Sequence, residues 1–361
     1  SSVSRTVSPM IQSTVTWRQR AALVTASMAM LLISFSTTST NIAFSSIEAE
    51  FSGYSLSTVS WVVTGYNITQ TTMMLVGGRL ADRLGRRRIF LWGMTVMAVG
   101  SLASGLAPNV PLLIAARILQ AIGAAFVLPT SLAAVLPDYP KSHHARVVAL
   151  WAGIGVFGSI AGPSLAAGLL WLSGWRAVFV AVAPLAALAA LVGRRVMSES
   201  VPETAPGRFD VIGATTGTAA LALLALGLVQ GPGWGWGSPS TVVTLLVGAV
   251  LLPLFVRRCT NHPEPLLNLS LFSIRTFSVA TVAAGLLATS TSATWLLYPI
   301  FMDRIWDYET WQIGLALTPG PVLLVLLNPF TARYADRHGY RGLMLLGTLL
   351  ATSGTLYLGL M

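Results

Sequence analysis

Eleven apolar stretches, each close to 20 residues long and divided by short polar segments, constrain this chain more than any other feature. An α-helix rising 1.5 Å per residue needs about 20 residues to cross roughly 30 Å of hydrocarbon. The stretches cover 20–44, 56–78, 89–107, 111–136, 147–172, 175–193, 211–230, 240–256, 277–302, 312–332 and 342–361. Strands of a barrel would alternate apolar and polar side chains over about ten residues, and these runs do not. Only 9% of the residues are charged and 54% are hydrophobic, against roughly 25% charged in soluble domains. So few charges could not cover a soluble surface, and the reading is an all-α polytopic membrane protein.

The net charge of +10 would point to nucleic acid in a soluble protein, but its placement argues otherwise. With the N-terminus inside, the inner loops hold Arg5, Arg18, Arg20, Arg79, Arg83, Arg86, Arg87, Arg88, Lys141, Arg146, Arg194, Arg195, Arg208, Arg257, Arg258, Arg275, Arg333, Arg337 and Arg341. The opposite face keeps Arg176 and Arg304, and Arg117 lies within a span. This positive-inside bias predicts a cytoplasmic N-terminus in an inner or plasma membrane, with the lipid bilayer and not nucleic acid as partner. Cys259 is the only cysteine, which excludes an intrachain disulfide and leaves a weakly packed free thiol as the expectation. The first span is too long for a signal-peptide core and is read as a retained helix.

Residues 77–88, GGRLADRLGRRR, form a charged hinge between two spans, and a degenerate copy, TARYADRHGYR, returns at 331–341. Asp82 and Asp336 are 254 residues apart (336 − 82), with eight spans between them. Parallel repeats of six helices would place only six there. Two extra helices, 211–230 and 240–256, therefore sit between the halves, after the linker-like SESVPETAPGRFD. The expected plan is a tail over 1–19, a six-helix bundle over 20–193, a linker with two inserted helices over 194–258, and a second bundle over 259–361. Three spans of that bundle are visible where six are expected, so a fourteen-helix parent is the simplest completion.

In the hinge, Gly78 is expected to let helices approach closely and Gly85 to permit a tight turn, while Asp82 caps a helix or pairs with a neighbouring arginine. In the fourth span, LIAARILQAIGAA puts Arg117, Gln120 and Ala124 on one face. A buried arginine costs about 2.5–3.5 kcal/mol on insertion scales and normally faces the bundle interior or water. A tie to helix-end carbonyls is the plainer alternative. In the fifth span, GIGVFGSIAGPSLAAG aligns Gly155, Gly158, Gly162 and Ala166, and Pro163 can kink the helix. Small-residue packing alone also explains that face. In WVVTGYNITQTT, the residues Trp61, Tyr66, Asn67 and Gln70 are candidates for a central cavity, or else packing residues.

Together these segments resemble the major facilitator superfamily, and within it the fourteen-helix drug:proton antiporter branch. The resemblance covers nearly the whole chain. It implies two pseudo-symmetric six-helix bundles that expose a central site alternately to each side. It also implies that Gly78, Asp82, Arg83, Gly85, Arg86 and Arg87, with Asp336, Arg337 and Gly339 in the copy, form a conformational latch. Arg117 and Gln120 match a motif implicated in proton coupling, and Gly158, Gly162 and Pro163 match the antiporter motif, although its closing glycine pair is Ala166 and Ala167 here. In the first span, STTSTNIAFSSI keeps the family's asparagine as Asn41, but the aspartate expected five residues earlier is Ser36. All twelve acids lie in loops or near helix ends.

The implied function is export of small amphipathic or cationic organic compounds, coupled to protons, by a monomer. It requires no cofactor and no metal, and the adjacent His143 and His144 are read as solvated. No Walker loop, nucleotide-binding fingerprint or nucleophile triad occurs, so an enzyme is not expected. Two alternatives stay open: an inactive truncated remnant, and a facilitator or importer of the same fold.

Overall fold

The computed structural model describes residues 15–199, 210–263, 265–308, 319–339 and 341–360, together with Gln312 and Ala316. Among them the chain forms eleven helices of 20 or more residues. We number them α1 Trp17–Glu50, α2 Trp61–Leu84, α3 Arg86–Gly105, α4 Val110–Val135, α5 His144–Ser173, α6 Trp175–Val196, α7 Val211–Trp234, α8 Pro239–Asn261, α9 Arg275–Arg304, α10 Pro319–His338 and α11 Arg341–Leu360. No strand occurs among the described residues. SESVPETAPGRFD lies largely outside them, as does the start of the 312–332 span.

Side-chain caps set four of the eleven starts. Thr16 and Gln19 form a reciprocal capping box on α1, and Asn109, Asp210 and Ser238 cap α4, α7 and α8 by accepting from backbone N–H groups. The ends run further than the apolar windows. α2 starts at Trp61, after a separate turn at Leu56–Val59, and continues through Arg79, Asp82 and Arg83 to Leu84, since no breaker precedes Gly85.

Gly85 alone separates α2 from α3, at φ +101°. Gly339 ends α10 at φ +82°. Both positions favour glycine because a Cβ there is strained. Each glycine N–H returns to the carbonyl four residues back, Ala81 at 3.0 Å and Ala335 at 2.8 Å.

Helices α1 to α6 share one core. α1 runs along α5 and also touches α4 and α6, while α3 lies between α4 and α6, and α2 packs on α4. Glycines set the closest approaches. A Cβ on Gly100 would meet the Gln120 backbone nitrogen at 2.5 Å, and one on Gly158 would meet the Leu31 carbonyl oxygen at 2.7 Å. At the hinge the close approach belongs to Gly77, whose Cβ would lie 2.9 Å from the Ala125 oxygen. Gly78 has only ordinary contact with Pro129, so the expectation for Gly78 is corrected. α5 bends by 41° between Ser159 and Ala161. The Pro163 ring crowds the carbonyl four residues back, that of Ser159, and removes its donor.

α7 and α8 form a hairpin that reaches the bundle through α2. Its base is fastened by Asp210, a buried carboxylate that accepts from Gly213 N at 2.9 Å and pairs with Arg258 at 3.0 Å. Cys259 is buried beside Ala214, Phe255 and Leu266, which corrects the expectation of a weakly packed thiol. α10 touches α5, while α9 to α11 expose leucines along their lengths, among them Leu286, Leu326 and Leu349.

Candidate functional site

Arg117, within α4, is 1% exposed. Its Nε donates to the carbonyl of Val62 at 3.3 Å, and one terminal nitrogen donates to Ser36 Oγ at 3.1 Å and to Gln120 Oε1 at 2.5 Å. The guanidinium lies over the Tyr66 ring at 4.0 Å and faces Phe179 at 5.3 Å. Gln120 Nε2 donates to Ser36 Oγ at 3.0 Å and to Ser101 Oγ at 3.1 Å, and Ser101 donates to the Phe179 carbonyl at 2.8 Å. This network joins α1, α2, α3, α4 and α6, which is five of the six helices in the core.

Among the described residues no carboxylate pairs with Arg117. Its charge is met by one carbonyl, one hydroxyl, one amide oxygen and two ring faces. Ser36 Oγ, where the resemblance leads one to expect an aspartate, accepts from both Arg117 and Gln120. A hydroxyl can fill that position in the hydrogen-bond net but cannot neutralise the guanidinium or carry a proton at neutral pH. A relay from Asp82 to Arg117 is also excluded. Asp82 lies 20 residues beyond Val62 on the same helix, which is about 30 Å at 1.5 Å per residue.

A second feature is a cavity of about 310 Å³ between α1, α2, α4 and α5. Its polar lining comes from Ser34, Thr37, Thr38, Gln70, Thr71 and Ser159, and thioethers come from Met30 and Met74. Gln70 lines this cavity. Asn67 is exposed and three residues before Gln70, so it extends the same face. Tyr66 does not line the cavity: it is fully buried under Arg117. Trp61 is half-buried and packs beside Gly65, away from the cavity lining.

Asn41 also parts from its expected partners. It is exposed and lies three and four residues beyond Thr38 and Thr37, on the cavity face, whereas Ser36 faces the core. The glycine face of α5 turns inward onto α1. Gly155 meets Met30, Gly158 meets Leu31 and Gly162 meets the Thr38 side chain.

At the hinge, Asp82 pairs with Arg86 at 3.5 Å, and Gly85, not Asp82, occupies the N-terminal cap position of α3. Arg86 donates to the Ala133 carbonyl at 3.1 Å, and Arg87 donates to the Arg194 carbonyl. The two arginines thus cap the carbonyl ends of α4 and α6. Arg83 is half-buried. The side chains of Asp336 and Arg337 lie outside the described residues.

Ser101, the Val62 carbonyl and Phe179 belong to the cluster without having been singled out from the sequence. Ser101 alone carried a signal, as a polar residue inside GSLASG.

The profile described as Major Facilitator Superfamily matches residues 26–210, just over half the chain. The chain belongs to the major facilitator superfamily. Similar members include the methylenomycin A resistance protein of Bacillus subtilis, 32% identical over 316 residues, covering 87% of this chain and 67% of the relative. The multidrug resistance protein Stp of Mycobacterium tuberculosis is 30% identical over 341 residues, covering 94% and 63%. The tetracenomycin C resistance and export protein of Streptomyces glaucescens is 27% identical over 331 residues, covering 92% and 61%. The chain spans 59–67% of the length of the first three curated relatives it matches.

Among solved structures, the proton:xylose symporter XylE aligns at a TM-score of 0.57 and 14% identity, over 89% of this chain and 70% of that one. That likeness confirms the major facilitator fold, and with the apolar helices it makes this a multi-pass membrane protein.

Proposed function

We propose that this chain builds the greater part of a secondary transporter that exports small amphipathic or cationic organic compounds by alternating access. The carrying observation is the cavity beside α1 and α2, whose hydroxyl, amide and thioether lining can hold a varied organic molecule without matching one structure. The names of the relatives, resistance and export proteins, support the direction and the substrate class. We place the N-terminus in the cytoplasm on the arginine bias, and read the transporter as a monomer of the inner membrane without enzymatic activity. The organisation proposed is the bundle 20–193, the linker and inserted pair 194–258, and the start of a second bundle from 259.

Protons are the proposed driving ion, on family grounds. Arg117 then acts as a fixed positive charge that positions α1 and α4, since arginine keeps its proton. The residues Asp82, Arg86 and Arg87 tie the hinge to α4 and α6 and bias one access state.

Dye efflux from proteoliposomes containing the protein tests this reading. An imposed pH gradient should accelerate efflux, and Arg117→Ala should reduce it roughly tenfold, the loss of about 1.4 kcal/mol of coupling. Movement indifferent to the gradient and to Arg117→Ala would overturn the coupling. Ser36 supports one second reading, a gradient-independent facilitator of the same fold, which predicts that indifferent outcome.

A further inference from the structure

Outside the cavity and the Arg117 cluster, a site among the described residues has both a charged and an apolar part. At the hinge end of the bundle a groove of about 460 Å³ lies between the first turn of α3 and the last turns of α6. Arg87, Arg194 and Arg195 supply its polar lining, and Leu188, Leu191 and Val192 supply its apolar wall. Among the described residues no acid lines it: Glu199, an acid close in sequence, sits over Gly85 at the tip of α3.

Two observations give the groove a function beyond anchoring. The Arg87 side chain spends a terminal nitrogen on the Arg194 carbonyl, while its Nε is buried and has no hydrogen-bond acceptor. Three guanidiniums also share one groove with no counter-charge among the described residues of its lining, so an anion there is favoured by every one of them. The apolar wall is continuous with the outer face of the helix, where Leu188 and Leu191 are 56% and 64% exposed. In a membrane-spanning helix that face meets lipid chains.

We propose that this groove binds one anionic diacylphospholipid. The phosphate lies against Arg87, Arg194 and Arg195, and an acyl chain runs down α6 over Leu188 and Leu191. The apolar wall decides against free phosphate, because Leu188, Leu191 and Val192 offer an inorganic ion nothing to bind. The bound lipid neutralises guanidiniums carried by both helices and thereby holds α3 to α6. Basic pockets between spans are a recurrent form of headgroup recognition.

Native mass spectrometry of the detergent-solubilised full chain, titrated with phosphatidylglycerol, with phosphatidylcholine of the same acyl chains and with inorganic phosphate, tests the site. One phosphatidylglycerol should be retained well above phosphatidylcholine, and inorganic phosphate should not displace it. The double variant Arg194→Gln/Arg195→Gln leaves the backbone carbonyl that Arg87 uses and should weaken phosphatidylglycerol binding roughly thirtyfold, from about one charge interaction per arginine. Arg194→Lys/Arg195→Lys should keep most of it, and Arg257→Gln, at an exposed arginine outside the groove, should change nothing. Equal retention of the two lipids, displacement by inorganic phosphate, or equal weakening by Arg257→Gln would overturn the proposal.

Discussion

Gly85 and Gly339 give the backbone the same instruction in different surroundings. Each ends a helix with a left-handed residue, and each sends its N–H to the alanine carbonyl four residues earlier. Around Gly85 the flanking arginines reach into the bundle, Arg86 to Ala133 and Arg87 to Arg194. Around Gly339 the neighbouring Arg333 and Arg341 are exposed, and the described contact is a stack of Tyr334 on His338 at 4.5 Å. The turn is therefore a local property, whereas the latch is a property of packing. The same contrast extends to the helices, since α1 to α6 enclose a core and α9 to α11 present leucines outward.

The largest effect that would sharpen this comparison comes from adding bulk at matched glycines. Gly158→Leu drives a side chain into the Leu31 backbone, while Gly354→Leu in α11 adds a Cβ that meets no atom within 4 Å. Thermal unfolding in detergent should show a loss of about 3 kcal/mol or more for the first and a gain of roughly 0.5–1 kcal/mol in helix propensity for the second. Equal losses would break the comparison.

Next comes Arg117→Met, which removes the charge but keeps the volume. It should abolish most transport while the protein stays folded with a modestly lower melting temperature, because Gln120 Nε2 keeps Ser36 and Ser101 and only Gln120 Oε1 and the Val62 carbonyl lose a donor. A collapse of the fold instead would make the cluster structural only. Ser36→Asp, read in the same efflux assay, should steepen the pH dependence of transport by placing a carboxylate against the guanidinium.

Gly85→Ala and Gly339→Ala test the turn itself. Both should lose about 1–2 kcal/mol to left-handed strain, alike at the two sites because the Cβ at Gly85 meets only the movable end of the exposed Glu199 side chain. The smallest contrast is Arg86→Gln against Arg341→Gln. The first should cost about 1 kcal/mol for the lost carbonyl cap, and the second should stay within about 0.5 kcal/mol.

The number and order of helices could be read from the sequence because hydropathy and helix length are both local quantities. Their ends were less legible. Apolar windows stopped at residue 78, whereas α2 continues to Leu84, as helix propensity carries through Arg79 and Asp82 until Gly85. In the site, the spacing of Arg117 and Gln120 placed both on one face, which held. Periodicity does not tell how helices are rotated against one another, so Ser101 and Phe179 went unseen and Tyr66 was assigned to the wrong surface. Ser36 stood out only through the family resemblance, and its role as the shared acceptor depended on α1 and α4 facing each other.

The arginine caps carry a mechanical consequence. The first turn of α3 holds the last carbonyls of α4 and α6, and one glycine joins it to α2. A displacement of that single turn is handed to three neighbouring rods at once, so the base of the bundle behaves as one lever and not as four independent legs.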